Sequence, residues 1–264
     1  MTDAYLIVDP PGDGVHNMVI DTWLWATHTH TRPPVLRFYR WQRPTVSLGV
    51  HQQPETVVDP TRCRRFGVDI VRRPTGGGAV LHDAEITYSV IATPTQLGVR
   101  KPLDAYARIA TALLEGLAHY PIVGATLVRP ATPVGRVDGF CFAQRAHYEI
   151  AVHGAKLIGS AQRWGRHALL QHGSILLDWN PRWVDVFRVR VHPAGFTTLR
   201  RVLGTAPDPE RLIRCILRGF QRVFGWRWRR WTVRPPDKQM DALIRRFRIR
   251  VHAEDPVVSS HPGA

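Results

Sequence analysis

The chain has 264 residues, of which 44% are hydrophobic, and its formal net charge is +15. This composition predicts an ordinary globular protein, and the longest apolar run, residues 175–179, is too short to span a membrane. The N-terminus lacks the basic and apolar pattern of a signal peptide, so we expect a cytoplasmic protein. The three cysteines stand outside any CxxC pair, which favours reduced thiols over a disulfide framework or a zinc site.

The positive charge predicts attraction to acidic partners: nucleic acid, an anionic membrane surface or an acidic carrier protein. Arginines are concentrated in FGWRWRRWTVR and LIRRFRIRVH, towards the end of the chain. Alternation through WRWRRW favours a strand with inward tryptophans over a base-stacking surface, and no recognised nucleic-acid signature is present. We therefore expect neither nucleic acid nor a membrane as the partner.

The predicted elements alternate irregularly along the chain. Helical periodicity covers residues 15–29, 104–119, 209–224 and 237–247, and strand-like runs begin at Val35, Gly67, Ala79, Glu85, Tyr148, Lys156 and Leu169. This order predicts an α+β fold with mixed or antiparallel sheets flanked by helices. We expect one domain over residues 1–250, with a helical C-terminal extension at 208–250 and a flexible tail at 251–264. The Pro- and Gly-rich segment 128–140 is predicted to be a mobile loop over a site.

The stretch VRRPTGGGAVLHD, residues 71–83, places three glycines between two predicted strands. Its spacing matches neither GxxxxGK[ST] nor GxGxxG, so it is not a phosphate loop of those types. A flexible hairpin loop is the simplest interpretation. However, Arg72 and Arg73 precede the glycines and His82 and Asp83 follow them, so an approachable backbone lies among groups able to hold an anion.

RRPTGGGAVLHD resembles the glycine-rich signature of the biotin and lipoate protein ligase superfamily. A second segment, GAKLIGSAQRWGRHALLQHGSILLD at 154–178, resembles the second signature of that family, with its lysine, GSAQR turn and HGS strand. NMVIDTWL and FYRWQRPTVSLGVHQ are similar to its opening helix and first strands. The resemblance extends over residues 6–179 and implies the catalytic-domain fold of the family.

The resemblance implies that the glycine backbone lines a tunnel for an octanoyl or lipoyl chain, where any Cβ would collide with the chain. An apolar chain of this kind needs a narrow, preformed apolar slot. The substrate-binding residues implied are Arg72, Arg73, Gly76, Gly77, Gly78, His82, Gly159, Ser160 and His172. For the two histidines, hydrogen bonding to the backbone to fix the loops is an equally good interpretation. No set of side chains has metal-ligand spacing, so we expect no metal.

The family divides by chemistry. ATP-dependent lipoate ligases form an acyl-adenylate, whereas octanoyltransferases take a thioester from acyl carrier protein onto a cysteine and pass the acyl group to a lysine of a lipoyl domain. One transferase group carries its cysteine in a PCG motif, where this chain has Ala194. The other places it in a CF pair before a YE strand and the lysine motif; the matching residues here are Cys141, Phe142, Tyr148, Glu149 and Lys156.

The chemistry of these residues supports a Cys141 and Lys156 dyad. A free cysteine is mostly a thiol at neutral pH, and the ammonium of Lys156 beside it would favour the thiolate. Cys141 would attack the octanoyl thioester without ATP, and Lys156 would accept the proton of the acceptor amine and donate to the oxyanion. Cys63 and Cys215 lie in amphipathic helical stretches and are expected to be packing residues.

These features predict an octanoyltransferase of lipoate biosynthesis that needs no cofactor. Its partners would be octanoyl-acyl carrier protein and a lipoyl-domain acceptor, such as glycine cleavage H protein or a 2-oxoacid dehydrogenase E2. Two alternatives stay open: an ATP-dependent lipoate ligase, which would need ATP and Mg and use Lys156 but not Cys141, and a non-catalytic acyl or nucleic-acid binding module. The absence of a clear extra domain after residue 237 favours the transferase, although some ligases keep that domain on a separate chain.

Overall fold

The structure is a computed structural model and describes residues 1–128, 148–189, 191, 195–233, 235–247 and 249. The strands are β1 Thr2–Val8, β2 Val35–Tyr39, β3 Thr45–Leu48, β4 Asp69–Arg72, β5 Val80–His82, β6 Glu85–Ala92, β7 Ala125–Val128, β8 Glu149–Val152, β9 Ala155–Trp164, β10 Leu169–Leu176 and β11 Trp226–Arg230. The helices are α1 Gly14–Ala26, α2 Pro54–Val57, α3 Pro60–Phe66, α4 Pro102–Leu117, α5 Leu199–Leu203, α6 Pro209–Phe224 and α7 Asp237–Phe247, with a 3₁₀ helix at Pro181–Val186.

Eight strands form the main sheet, in the order β11-β1-β2-β6-β10-β9-β8-β7. The β11-β1-β2 pairs are parallel and the remaining pairs are antiparallel. The central strands β6 and β10 are buried along their whole length. One face of the sheet packs against α4 and α6 and the other against α1, so the main core is a helix-sheet-helix arrangement. This confirms the predicted α+β fold with a mixed sheet.

A smaller sheet holds the glycine loop. Its order is β4-β3-β5, with β3 parallel to β4 and antiparallel to β5, so the loop between β4 and β5 crosses one end of β3. Helix α3 leads into β4: the Asp59 carboxylate caps its first turn, Pro60 sits in that turn, and Gly67 ends it with a φ of 66°. A separate hydrophobic cluster lies under this sheet.

The hairpin of β8 and β9 turns at His153 and Gly154, whose φ angles are 50° and 80°. Two residues with positive φ suit the two-residue turn that the sequence predicts at this position. At the other end of β8, Val128 of β7 lies opposite Glu149, and the Tyr148 amide donates to the Val128 carbonyl over 2.9 Å. Val128 and Tyr148, the described residues on either side of the segment 129–147 that carries Cys141, therefore lie together on the sheet.

The C-terminal part is integrated into the same fold. Strand β11 pairs with β1, and Trp226 is fully buried in the main core. Helix α7 packs its apolar side chains on a cluster that contains Met18, Tyr39 and Trp41. The segment predicted as a helical extension thus also supplies an edge strand of the main sheet. Among the described helices, none is both long enough and apolar enough to cross a membrane. The predicted tail at 251–264 and most of the predicted loop at 128–140 lie outside the described residues.

Candidate functional site

A largely apolar cleft opens between the small sheet and the main sheet, with about 410 Å³ of empty space that includes its open mouth. Met18 and Tyr39 are only 1% exposed, whereas Ser160 and Ala161 are partly exposed, so the mouth lies at β9 and the closed end at α1 and β2. The lining residues are Met18, Tyr39, Trp41, Ser47, Arg73, Val80, His82, Thr87, Gly159, Ser160, Ala161, His172, Gly173 and Ser174.

His82 forms part of one wall, stacked on the Trp41 ring with the ring centroids 3.9 Å apart. Its Nε2 shares a hydrogen bond of 2.7 Å with Ser47 Oγ, and its Nδ1 lies 2.9 Å from Glu85 Oε1. Trp41 is fixed in turn, because its Nε1 donates to Thr87 Oγ1 over 2.8 Å. The orientation of His82 is therefore set by Ser47 on β3, Glu85 on β6 and Trp41 in the segment between β2 and β3.

His172 connects the glycine loop to helix α1. Its Nε2 shares a hydrogen bond of 2.7 Å with Thr75 Oγ1, next to Gly76, and its Nδ1 lies 3.1 Å from Asp21 Oδ2. Burial lowers the pKa of His172, against the opposing effect of Asp21. Both histidines bond to side chains, whereas the simpler sequence interpretation expected backbone partners.

Asp21 is a fully buried carboxylate that the sequence analysis missed. It accepts hydrogen bonds from Arg37 Nη1 at 2.8 Å, Tyr39 OH at 2.9 Å and Ser89 Oγ at 2.8 Å. Burial opposes its charge, but Arg37 and His172 hold the pKa of this carboxyl below its ordinary value. The available signal was an acidic residue on the buried face of the helix NMVIDTWL, but only the tertiary structure shows its partners.

The two arginines before the glycines bind backbone carbonyls. Arg73 donates from Nη2 to the Gly76 and Gly78 carbonyls over 2.6 and 2.7 Å. Arg72 donates from Nη1 to the carbonyls of Gly49, Val50 and Gln52 over 2.8–3.2 Å. These contacts order the glycine loop and the turn beside it, and the predicted anion-binding role of both arginines stays a prediction.

The glycines in and beside the triplet differ in whether the fold itself requires a glycine at that position. Gly77 has a φ of 90°, a backbone angle that residues with a side chain rarely adopt. A Cβ added to Gly49 would lie 2.1 Å from the Gly77 carbonyl oxygen. At Gly76, a Cβ would meet no atom within 4 Å. The cleft lining includes Arg73, three residues before Gly76, and Val80, two residues after Gly78, but none of the three glycines. The folded backbone therefore requires a glycine at positions 49 and 77. At position 76 neither a steric clash nor the backbone angle requires one.

Two tyrosines hold Ser160 at the mouth of the cleft. Tyr88 OH shares a hydrogen bond of 2.6 Å with Ser160 Oγ, and Tyr106 OH donates to the Ser160 carbonyl over 2.6 Å. Burial raises the pKa of Tyr88 to about 12, so it is a neutral phenol at physiological pH. On the facing strand, a Cβ on Gly173 would lie 2.5 Å from the Gly159 carbonyl oxygen. The predicted residues Gly159 and Ser160 thus border the cleft, with Ser160 fixed in place.

Lys156 lies on β9, three residues before Gly159, and is 3% exposed. It forms an ion pair with Glu149 of β8, whose side chain is 2% exposed. Cys141 lies outside the described residues, so its distance from Lys156 is not given by the structure. Val128 and Tyr148, which flank its segment in the chain, lie beside Glu149, as described for β7 and β8.

Cys63 and Cys215 are buried and free, in agreement with the predicted packing role. Burial raises the pKa of the Cys63 thiol to about 11, and Cys215 Sγ donates to the His119 carbonyl over 3.3 Å. Burial keeps both sulfur atoms away from a substrate, and the raised pKa of Cys63 makes it a poor thiolate nucleophile. Within the described residues, no group of three His, Cys, Asp or Glu side chains is arranged to hold a metal ion.

Comparison with known proteins gives the family. The model of the lipoyl protein ligase A/B catalytic domain matches residues 13–221. Octanoyltransferase LipM of Carboxydothermus hydrogenoformans is 42% identical over 182 residues, covering 67% of this chain and 65% of the relative, just under two thirds of its length. Octanoyltransferase LipM of Kyrpidia tusciae is 34% identical over 239 residues, covering 82% and 85%.

The fold is likewise shared with a solved structure, lipoate-protein ligase A bound with ATP, at a TM-score of 0.76 over 93% of this chain and 94% of that one. At 21% identity this likeness shows the fold alone. The predicted resemblance, which began from two short signatures around the glycine loop and Lys156, is confirmed by the match over most of the chain. The chain belongs to the lipoyl protein ligase A/B catalytic-domain family.

Proposed function

We propose that this chain is an octanoyltransferase of lipoate biosynthesis, which moves an octanoyl group from acyl carrier protein to a lipoyl-domain lysine through a thioester on Cys141. The observation that carries the proposal is its similarity to relatives named octanoyltransferases, over four-fifths of the chain in the Kyrpidia match. The CF, YE and lysine pattern from Cys141 to Lys156 supports the cysteine route over the adenylate route.

The cleft suits a medium-length acyl chain. Its deep end is formed by Met18, Tyr39 and Trp41, and its polar groups are already engaged with one another. Burial of each methylene contributes about 0.8 kcal/mol, so an octanoyl chain gains several kcal/mol over a very short acyl group in such a slot. The predicted binding residues Gly159, Ser160, His82 and His172 border or line this space.

In the first half-reaction, Cys141 Sγ attacks the thioester carbonyl carbon of the donor. The new Sγ–C bond forms as the bond to the carrier thiol breaks, and the proton of the Cys141 thiol leaves with the carrier thiolate. One thioester replaces another of similar energy, so no ATP is required. The ammonium of Lys156 provides positive charge for the thiolate and for the oxyanion.

In the second half-reaction, the neutral amine of the acceptor lysine attacks the Cys141 thioester. A C–N bond forms, the C–Sγ bond breaks, and one amine proton returns to the Cys141 thiolate, with Lys156 as the proton relay. An amide is much more stable than a thioester, which drives the transfer forward. Lys156 thus acts in both half-reactions, and Cys141 is regenerated as a thiol.

The partners are octanoyl-acyl carrier protein as donor and a lipoyl domain as acceptor, such as that of glycine cleavage H protein or a 2-oxoacid dehydrogenase E2. Both classes of partner are acidic by expectation, and the net charge of +15 would accelerate their encounter with this chain. The reaction takes place in the cytoplasm, where such carriers are found and where Cys141 stays reduced.

Intact-protein mass spectrometry tests the proposal. The purified protein is mixed with octanoyl-acyl carrier protein without ATP, and wild type is compared with Cys141→Ser and with the matched control Cys63→Ser. A hydroxylamine-sensitive octanoyl adduct on wild type and Cys63→Ser, but not on Cys141→Ser, is expected. No adduct, together with ATP-dependent lipoylation of an acceptor by all three proteins, would establish a ligase instead.

A further inference from the structure

Lys156 and Glu149 form an ion pair inside the sheet. Their side chains are 3% and 2% exposed, and they belong to adjacent strands, β9 and β8. A buried ammonium is costly unless a carboxylate or hydrogen-bond acceptors compensate it. The backbone around the lysine is fixed as well, because the Thr197 amide donates to the Lys156 carbonyl over 2.8 Å. Glu149 therefore compensates the charge of Lys156 and gives its Nζ a defined direction.

The position of Glu149 in the chain links this pair to the proposed nucleophile. Glu149 is the first residue of β8, and the segment 129–147 that carries Cys141 ends one residue before Tyr148. Tyr148 has a φ of 57°, an uncommon conformation for a residue with a side chain. Strained backbone of this kind is maintained where the surrounding structure requires it, and often marks a functional site. Tyr148 lies directly between that segment and Glu149, the residue that pairs with Lys156.

We propose that Glu149 is a positioning residue of the transfer reaction, acting through Lys156. This inference rests on the proposed function. Glu149 makes no bond to the substrate in this scheme. It holds Lys156 as a fixed ammonium, so the positive charge is in place when the Cys141 thiolate and the oxyanion of the first half-reaction form.

The consequence is an asymmetry between the two half-reactions. Formation of the acyl-enzyme requires the positive charge of Lys156 in a fixed place, and Glu149 holds it there. Release of the acyl group to the acceptor amine requires a group that can take up a proton, and a carboxylate partner does not assist a lysine in that role. Loss of the Glu149 charge should therefore slow acylation of Cys141 much more than transfer from Cys141.

The test measures each half-reaction in single turnover, by rapid quench and intact mass, for wild type, Glu149→Gln, Glu149→Asp and the matched surface control Glu55→Gln. We expect Glu149→Gln to slow acylation by at least 10-fold and transfer by less than 3-fold. Glu149→Asp, which keeps the charge on a shorter side chain, should fall between Glu149→Gln and wild type. Glu55→Gln should behave as wild type, because Glu55 is exposed and is not among the residues that line the cleft.

A double-mutant cycle separates action through Lys156 from a general structural effect. In a Lys156→Gln background, Glu149→Gln should add less than 2-fold to the loss of acylation rate, because its target is already absent. The double variant removes both charges of the pair together, so it also guards against a single variant that does not fold. Melting temperatures check the fold of each protein.

Equal slowing of both half-reactions by Glu149→Asp and Glu149→Gln, or multiplicative effects in the cycle, would overturn the inference and leave Glu149 a structural residue. If wild type forms the acyl-enzyme and folded Glu149→Gln forms it at the same rate, the inference is overturned while the proposed function stays intact. A wild type that forms no acyl-enzyme would overturn both.

Discussion

The substitution Gly76→Ala separates what the fold requires from what the substrate requires. A Cβ at this position meets no atom within 4 Å, and Gly76 is not among the glycines with positive φ. Replacing such a glycine with alanine reduces the entropy of the unfolded chain and stabilises a protein by about 0.4–1 kcal/mol. The melting temperature should therefore be unchanged or rise by roughly 1–4 °C.

The effect on activity should be opposite in sign. If the acyl chain passes along the glycine backbone, the added methyl group overpacks an apolar slot, which costs about 1–3 kcal/mol. This corresponds to a loss of about 5–150-fold in kcat/KM for octanoyl transfer to a lipoyl domain. Steady-state transfer from octanoyl-acyl carrier protein, measured beside thermal unfolding, gives both quantities.

Gly204→Ala is the matched control. A Cβ at Gly204 also meets no atom within 4 Å, but its φ is 71° and it ends α5, away from the cleft. We expect it to lose about 1–2 kcal/mol of stability with kcat/KM unchanged. Full transfer activity in a stable Gly76→Ala protein would refute the tunnel hypothesis, because neither folding nor substrate would then require a glycine there.

Three further results are expected. Gly49→Ala places a Cβ 2.1 Å from the Gly77 carbonyl oxygen, so unfolding should cost about 3 kcal/mol less and the melting temperature should fall by roughly 6–12 °C. Since the pKa of Cys63 is about 11, little of it is thiolate at pH 8. Its alkylation by iodoacetamide should therefore be at least about 200-fold slower in the folded than in the unfolded chain, as measured by peptide mapping. Asp21→Asn removes one of two carboxylates that pair with Arg37 and should destabilise the chain to urea by about 3–5 kcal/mol. The folded chain lowers the pKa of Asp21 from 3.8, so the ionised carboxylate stabilises the folded wild type above that pH. This stabilisation should be lost as the pH falls below 3.8, and the stability of the variant should fall less steeply in acid because it lacks the carboxylate.

Local signals made several elements predictable from the sequence. Helix α6 was predicted with its observed bounds, because the Asp208 carboxylate caps the Glu210 and Arg211 amides, Pro209 occupies the first turn and Gly225 ends the helix at a φ of 68°. The two-residue turn at His153 and Gly154 is likewise encoded by its own residues. Such elements depend on neighbours within a few positions in the chain.

Elements that depend on distant partners were missed or misjudged. Strand β1 was not predicted, because it is ordered by pairing with β2 and with β11 at the other end of the chain. Strand β7 has four residues, all at least partly exposed, and gives no alternating pattern.

The end of helix α1 was misjudged although its contacts are local. The helix was predicted to extend to residue 29 but ends at Ala26, where the Thr27 hydroxyl and amide both donate to the Trp23 carbonyl.

The candidate site shows the same contrast between residues with local signals and residues with distant partners. Short motifs singled out the glycine loop, Lys156 and Cys141 as candidates, because each motif is contiguous. The network around them is not contiguous: Asp21 meets a histidine 151 residues away, and Tyr88 meets Ser160 across the sheet. No spacing rule in one sequence connects such residues, so their roles had to come from the structure.

The parallel pairing of β1 with β11 has a consequence for how this protein is made. Thr2 lies beside Trp226, and Asp3 accepts a hydrogen bond from an arginine 224 positions later. On the ribosome, β1 emerges long before β11, so the edge of β1 that pairs with β11 stays uncovered until β11 has been made. Until then the nascent sheet presents an open strand to other chains. Protection by a chaperone during synthesis should therefore matter more for this chain than its modest size suggests.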